Sequence, residues 1–167
     1  ITMKTLVIGL GNPILTDDGV GVKVAYEIDN ALQPEIPDNL TITEASVGGL
    51  RLMELLIGFD RVILIDAIMT KKGGKSGTIH RLTLEDLRNI SPTQHSASAH
   101  DTSLVTALDA GMTMGLHLPT EFIIYAVEVE NILDFSEEPT PAVAEAIPKL
   151  TSIILKEMKS LYNIPDY

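Results

Sequence analysis

Short runs along the chain have the length and pattern expected of β-strands. The clearest, Arg61–Ile65, is almost wholly apolar, which predicts a central strand covered on both faces of a sheet. Similar patterns predict three further strands, Thr5–Leu10, Leu40–Glu44 and Phe122–Val127. A fifth strand, Thr78–Leu82, follows a basic, glycine-rich turn and is predicted to lie at an edge of the sheet.

Segments with apolar residues at helical spacing separate these strands. The first helix is predicted to begin at the acidic pair Asp17 and Asp18, whose carboxylates would cap its free backbone N–H groups. The last begins at Thr140, and Pro148 is expected to kink it. Three more helices are predicted, one opening at Gly48-Gly49, one over residues 84–90 and one over residues 100–114. This alternation predicts an α/β fold, a three-layer sandwich in which helices cover both faces of a mostly parallel five-stranded sheet. We expect it to form one domain, residues 1–167.

The composition narrows the classes of protein to which the chain can belong. It has 167 residues, 45% of them hydrophobic, which suffices for the core of one domain. The absence of cysteine excludes disulfides and a cysteine nucleophile, and favours the cytoplasm. We expect neither export nor membrane insertion, because no signal-peptide pattern and no bilayer-length apolar run is present. The net charge of −11 disfavours nucleic-acid binding and favours a partner with basic or neutral contact surfaces.

Three polar residues are predicted to meet at one edge of the sheet. In open α/β sheets, ligands bind beyond the carboxyl ends of the strands. Asp18 follows the first strand, Asp66 ends the central strand, and His100 begins the helix that precedes the last parallel strand. Two carboxylates and an imidazole form a ligand set suited to zinc, nickel, manganese or iron, and the spacing does not choose among these metals.

Each of these residues also has a purely structural interpretation. Asp18 could cap the following helix, in competition with Asp17. Asp66 could anchor a loop through hydrogen bonds, although a carboxylate at the edge of the core is costly unless it is paired or ligated. His100 could be an exposed residue at the start of a helix.

Other chemistries have weaker signals. The loop after the first strand, Gly9 to Pro13, lacks the third glycine of a dinucleotide-binding fingerprint because Ile14 takes its place. No G-x-S-x-G motif supports a serine hydrolase. Three histidines have no recognisable partner and are predicted to be surface or edge residues: His80, His95 and His117.

Three motifs resemble those of the hydrogenase maturation endopeptidases. They are Gly-Leu-Gly-Asn-Pro-Ile-Leu-Thr-Asp-Asp-Gly-Val-Gly at 9–21, Leu-Ile-Asp-Ala at 64–67 and Ser-Ala-His-Asp-Thr-Ser-Leu at 98–104. Their order and approximate separations match the family, and the similarity extends to the Glu-x-Glu and Pro-Thr-Pro segments further along the chain. The resemblance implies that Asp18, Asp66 and His100 form the metal-contacting catalytic site. One segment, Glu44–Gly49, departs from the family's Asp-Gly-Gly-Thr-like loop.

The resemblance also implies an activity and a partner. Members of this family remove the C-terminal extension of a [NiFe]-hydrogenase large-subunit precursor after nickel insertion, so the nickel is expected to arrive with the substrate. Two alternatives stay open at this stage. One is a peptidyl-tRNA hydrolase, which shares the Gly-x-x-Asn-Pro loop but has a downstream histidine that this chain lacks. The other is a metal-sensing α/β module without turnover.

Overall fold

Strands and helices alternate along the chain. The computed structural model describes residues 2–70, 73–89 and 100–163, and the side chains of residues 88–89 and 100–103 are outside that description. The strands are β1 (Thr5–Leu10), β2 (Leu40–Ala45), β3 (Arg61–Ile68), β4 (Ile79–Leu82) and β5 (Glu121–Glu128). The helices are a 3-10 helix (Thr16–Gly19), α1 (Val20–Leu32), α2 (Gly49–Leu56), α3 (Leu84–Asn89), α4 (His100–Thr113) and α5 (Pro141–Tyr162).

The five strands form one sheet in the order β2-β1-β3-β5-β4. The pairs within β2, β1, β3 and β5 are parallel, and β4 is antiparallel to β5. β3 lies at the centre, and all of its residues after Arg61 are buried, as its apolar sequence predicts. β2 and β4 lie at the two edges and carry partly exposed side chains. The predicted mostly parallel sheet and the predicted edge strand are both confirmed.

Helices cover both faces of the sheet, so the predicted three-layer arrangement is confirmed. Successive side chains of a strand point to opposite faces. On β3, Ile63 and Ile65 pack with residues of α1 and α5, whereas Val62 and Leu64 pack with residues of α2 and α4. By the same alternation, Asp66 points toward the face covered by α2 and α4. In the described part of the chain, no helix is long and apolar enough to cross a bilayer.

Two predicted boundaries are wrong. α1 begins at Val20, after the separate 3-10 helix, and neither Asp17 nor Asp18 caps it with its side chain. Both carboxylates instead accept hydrogen bonds from loop backbone. β3 continues past Asp66 to Ile68, because its pairing with β5 extends to that residue. The kink expected at Pro148 stays a prediction, and α5 continues through this residue. The sequence also predicts a polar loop over residues 91–99, and this loop lies outside the described residues.

Glycines bring α1 into backbone contact with the sheet near its carboxyl edge. A Cβ at Gly21 would lie 2.3 Å from the carbonyl oxygen of Ile65 and 2.6 Å from that of Leu10. A Cβ at Gly9 would lie 2.2 Å from the carbonyl oxygen of Gly21. These separations are too short for any side chain, so the segment requires glycine at both positions. The first turn of α1 is thereby held against β1 and β3, at the residue that precedes Asp66 in the chain.

Candidate active site

Asp18 is placed by the tight loop between β1 and α1. Gly11 turns the chain at the end of β1 with a φ of +132°, a conformation suited to glycine. A Cβ there would lie 1.9 Å from the carbonyl oxygen of Asp18, so the loop closes on itself. The Asp18 side chain is half-buried, and its Oδ2 accepts a hydrogen bond from the N–H of Asn12 at 2.8 Å. Among the described residues its Oδ1 has no hydrogen-bond partner, so one oxygen is available to a ligand.

Asp17, the adjacent carboxylate, has a structural role. It is fully buried, and its Oδ1 accepts a hydrogen bond from the backbone N–H of Thr140 at 2.7 Å. Its Oδ2 accepts from the backbone N–H groups of Glu130 and Asn131 at 3.2 and 3.1 Å. The Thr140 hydroxyl lies 3.0 and 2.9 Å from the two oxygens. These donors compensate the buried charge and join the 3-10 helix to the segment between β5 and α5. The two aspartates therefore have separate roles.

Asp66 is buried near the carboxyl end of β3. Only 2% of its surface is exposed, and it pairs with Ala126 of β5. Its Oδ1 accepts a hydrogen bond from the N–H of Ala67 at 2.8 Å. An ionised carboxylate at this depth needs donors or a cation to offset the loss of hydration. Both interpretations of Asp66 that follow from the sequence, ligand and anchor, are compatible with this burial.

The structure brings two of the three predicted site residues to the same edge of the sheet. The 3-10 helix that contains Asp18 contacts β3, which contains Asp66. Leu108 and Met112 near the end of α4 line one cleft with Phe122 at the start of β5. The helix therefore begins toward the carboxyl ends of the strands, with His100 as its first residue. The side chain of His100 lies outside the described residues, and its approach to the two carboxylates stays a prediction. Among the side chains that the structure describes, no three histidine, aspartate or glutamate residues form a metal-binding group.

A second buried carboxylate, not singled out from the sequence, lies one strand away. Glu128, at the end of β5, is 1% exposed, and its Oε1 accepts hydrogen bonds from the N–H and hydroxyl of Thr70 at 2.9 and 2.7 Å. Its Oε2 lies 3.4 Å from Nε2 of His80 on β4. A Cβ at Gly74 would lie 2.4 Å from Oε1, so the loop closes tightly over this group. The signal for Glu128 was the same as for Asp66, a carboxylate at the end of an apolar strand.

Two histidines outside the predicted site, His80 and His117, lie beside carboxylates that the sequence did not indicate. His80 lies on the edge strand β4 with a side chain 35% exposed, which confirms its predicted edge position. His117 is exposed, as predicted, and its Nε2 lies 2.9 Å from Oδ1 of Asp60. Asp60 directly precedes β3, at the amino ends of the parallel strands. The backbone N–H of Lys4 and the His117 side chain hold the pKa of Asp60 below its usual range. His95 lies outside the described residues.

The segment Glu44–Gly49, which departs from the family pattern, is bonded to the Asp18 loop. The Ser46 hydroxyl donates a hydrogen bond to the carbonyl oxygen of Gly11, and the Gly11 N–H donates to the carbonyl oxygen of Ala45 at 3.0 Å. The departure therefore lies directly beside the candidate site, where it fixes the start of the loop that contains Asp18.

Two of the surface clefts formed by the described residues lie at opposite ends of the strands. One, of about 560 Å³, adjoins the residues bonded to Asp17 and is lined by Glu130, Asn131, Leu133, Asp134, Thr140 and Pro141. The other, of about 520 Å³, is mostly apolar and lies by the end of α4 and the start of β5. Of these two clefts, the first is the one near the loop that contains Asp18.

Comparison with known proteins supports one family. A family model described as hydrogenase maturation protease matches residues 22–157. The hydrogenase 2 maturation protease of Escherichia coli is 30% identical over 130 residues, covering 78% of this chain and 76% of that protein. The hydrogenase expression/formation protein HupD of Rhizobium leguminosarum is 27% identical over 157 residues, covering 94% and 75%. Among solved structures, the hydrogenase maturating endopeptidase HybD from E. coli superposes with a TM-score of 0.77 at 26% identity, covering 95% of this chain and 93% of that one.

Proposed function

The chain belongs to the hydrogenase maturation protease family, and we propose that it removes the C-terminal extension of a [NiFe]-hydrogenase large-subunit precursor after nickel insertion. We further propose that it recognises the nickel already bound by that precursor. The cysteine-free composition favours the cytoplasm as the place of this reaction. Family membership favours this activity over peptidyl-tRNA hydrolysis.

One observation supports the site above all others, which is the contact between the 3-10 helix that contains Asp18 and the strand β3 that contains Asp66. Asp18 has an oxygen available among the described residues, and Asp66 is almost completely buried at the carboxyl end of the contacted strand. A buried carboxylate beside an accessible one favours a cation, because the cation offsets charge that hydration no longer stabilises. The addition of His100 would give the oxygen and nitrogen ligands that nickel and zinc accept.

In the proposed mechanism the nickel belongs to the substrate. Substrate thiolates hold it, and Asp18, Asp66 and His100 complete its coordination when the precursor binds. The scissile peptide bond then lies beside a metal that can polarise a carbonyl group or activate water. The hydrogen bonds to Asn12 and Ala67 orient the two carboxylates before the substrate arrives.

The test compares precursor prepared with and without nickel. Wild-type protein should shorten only the nickel-loaded form, which mass spectrometry of the precursor reads directly. Asp66→Asn should keep the fold and lose more activity than the roughly 10–100-fold typical of residues that only orient a ligand. Glu27→Gln, on the exposed surface of α1, is the matched control and should process normally.

The possible results separate the alternatives. Equal cleavage of both precursor forms would contradict nickel recognition and leave a general endopeptidase. No cleavage of either form, together with metal-dependent binding, would favour the non-catalytic metal-sensing module. An unfolded Asp66→Asn protein would identify Asp66 as an anchor, and a fully active one would remove it from the mechanism.

A further inference from the structure

The segment between β5 and α5 exposes two large apolar side chains close to the Asp18 loop. Leu133 is 83% exposed and Phe135 is 82% exposed, the highest values among the large hydrophobic residues that the structure describes. Ile14, 46% exposed, belongs to the neighbouring segment, because its carbonyl oxygen accepts a hydrogen bond from the N–H of Ser136 at 3.0 Å. Grouped apolar side chains of this size on a surface are typical of interaction sites. We call this segment the 131–136 loop.

Hydrogen bonds fix the 131–136 loop at both ends. At its start, the N–H of Asn131 donates to the buried carboxylate of Asp17, and the Asn131 side chain accepts from two following N–H groups at 3.2 Å each. At its end, the N–H of Thr16 donates to the carbonyl oxygen of Ser136 at 2.9 Å. The exposure of the two apolar side chains is therefore a fixed property of the surface. A loop held in this way loses little backbone conformational entropy when a partner covers it.

Acidic residues flank the two apolar ones along the chain. Four exposed carboxylates lie within nine residues: Glu130, Asp134, Glu137 and Glu138. No lysine or arginine occurs in this segment. An apolar centre with an acidic rim is complementary to a surface that presents apolar side chains flanked by lysine or arginine.

We propose that the 131–136 loop is the docking surface for the hydrogenase precursor, which it contacts through an apolar segment with basic neighbours. This inference rests on the proposed function, since it names the surface by which the same substrate binds. The charge of the rim favours a protein partner of opposite charge over a second copy of this acidic chain. The carboxylate of Asp17 accepts a hydrogen bond from the N–H of Asn131 in this loop, and Asp18 is the next residue after Asp17. Docking on the loop therefore places the precursor within reach of the candidate site.

A paired substitution tests the proposal. Leu133→Ser with Phe135→Ser should leave the fold unchanged, because both side chains are exposed, and should weaken the Kd for nickel-loaded precursor at least about 10-fold. The KM of processing should rise by a similar factor, with kcat within about 2-fold of wild type. Met112→Ser with Met114→Ser is the matched control. These side chains are 67% and 72% exposed at the end of α4, away from the site, and the control should bind as wild type.

Reversal of the rim charge tests the basic partner surface. Wild-type binding should weaken as salt is added, because salt screens attraction between exposed charges. Glu137→Lys with Glu138→Lys should weaken binding at low salt and reduce this salt dependence. Unchanged affinity and unchanged salt dependence would contradict a basic contact surface on the precursor.

The outcomes distinguish this inference from the proposed function. If wild-type protein cuts the precursor and the Leu133 and Phe135 variant binds it normally, the docking surface is wrong and the function stands. If wild-type protein binds without cutting and the variant loses binding, the function fails and the docking surface stands. Sedimentation of the wild-type protein and of the Leu133 and Phe135 variant, each without precursor, measures whether this surface mediates self-association. A change of oligomeric state in the variant, with normal precursor binding, would assign the surface to a second copy and overturn the proposal.

Discussion

Substitution by asparagine should mainly lower the stability of the fold at Asp17 and mainly lower the processing activity at the adjacent Asp18. Asp17 is fully buried, and its carboxylate accepts hydrogen bonds from three backbone N–H groups and one hydroxyl. Asparagine has the same shape, but one of the two oxygens becomes an NH₂ group, which donates hydrogen bonds. Asp17→Asn therefore places a donor against donors inside the protein, whereas Asp18→Asn changes a half-buried group with one bond to Asn12.

The magnitude follows from the two orientations of the new amide at residue 17. If the amide oxygen replaces Oδ2, the NH₂ group faces the N–H of Thr140. If it replaces Oδ1, the NH₂ group faces the N–H groups of Glu130 and Asn131. The first orientation leaves one buried donor unsatisfied, and such a group costs about 1–3 kcal/mol. We expect Asp17→Asn to lower the free energy of unfolding by about this amount, and Asp18→Asn to lower it by less than about 0.5 kcal/mol.

Urea unfolding followed by circular dichroism measures both variants against wild type. Hydrogen exchange should locate the effect of Asp17→Asn, with faster exchange at the amides of Glu130, Asn131 and Thr140. Processing of the precursor should follow the reverse order, because only Asp18 is proposed to meet the metal. A wild-type unfolding midpoint for Asp17→Asn, or a larger loss for Asp18→Asn, would refute this separation of roles.

Two further predictions concern packing and pH. Gly21→Ala should lower the free energy of unfolding by about 3 kcal/mol, because its methyl group meets backbone carbonyl oxygens. The methyl group of Gly111→Ala meets only side-chain atoms, so this variant should lose much less stability, and the two values of Tm measure the difference. The second concerns Asp60, whose pKa is lowered in the fold by the Lys4 N–H and by His117. Such a carboxyl stabilises the fold above its unfolded pKa and loses this contribution as pH falls through the folded value. The urea midpoint of wild type should exceed that of Asp60→Asn at about pH 6, and the difference should shrink below about pH 4; a growing difference would contradict the assignment.

Sequence patterns predicted the sheet well because its strands differ in burial. The apolar run at Arg61–Ile65 is central, and Thr78–Leu82, which contains three polar residues, lies at an edge. Helical spacing likewise located α1 and α5. These patterns arise because one face of each helix and strand packs against the core. A short window of sequence is enough to show which residues lie on that face.

The start of α1 and the roles of its acidic pair could not be predicted in the same way. The carboxylate of Asp17 is bonded to residues more than 100 positions away in the chain, so nothing near it in the sequence indicates an anchor. The pairing of Glu128 with Thr70 and His80 has the same origin, since it joins three separate segments. The placement of Asp18 and Asp66 at one edge was predictable, because the carboxyl ends of parallel strands meet there.

The close contacts made by glycine set the length of the segment that contains both aspartates. Gly9 and Gly21 abut at its two ends, and Gly11 meets the backbone of Asp18 between them. A residue added to or removed from this segment would shift one aspartate into the place of the other and break these contacts. By contrast, a side chain at Gly58 would meet open space. In a library of single-residue insertions, active clones should therefore accumulate around Gly58 and be missing from residues 9–21.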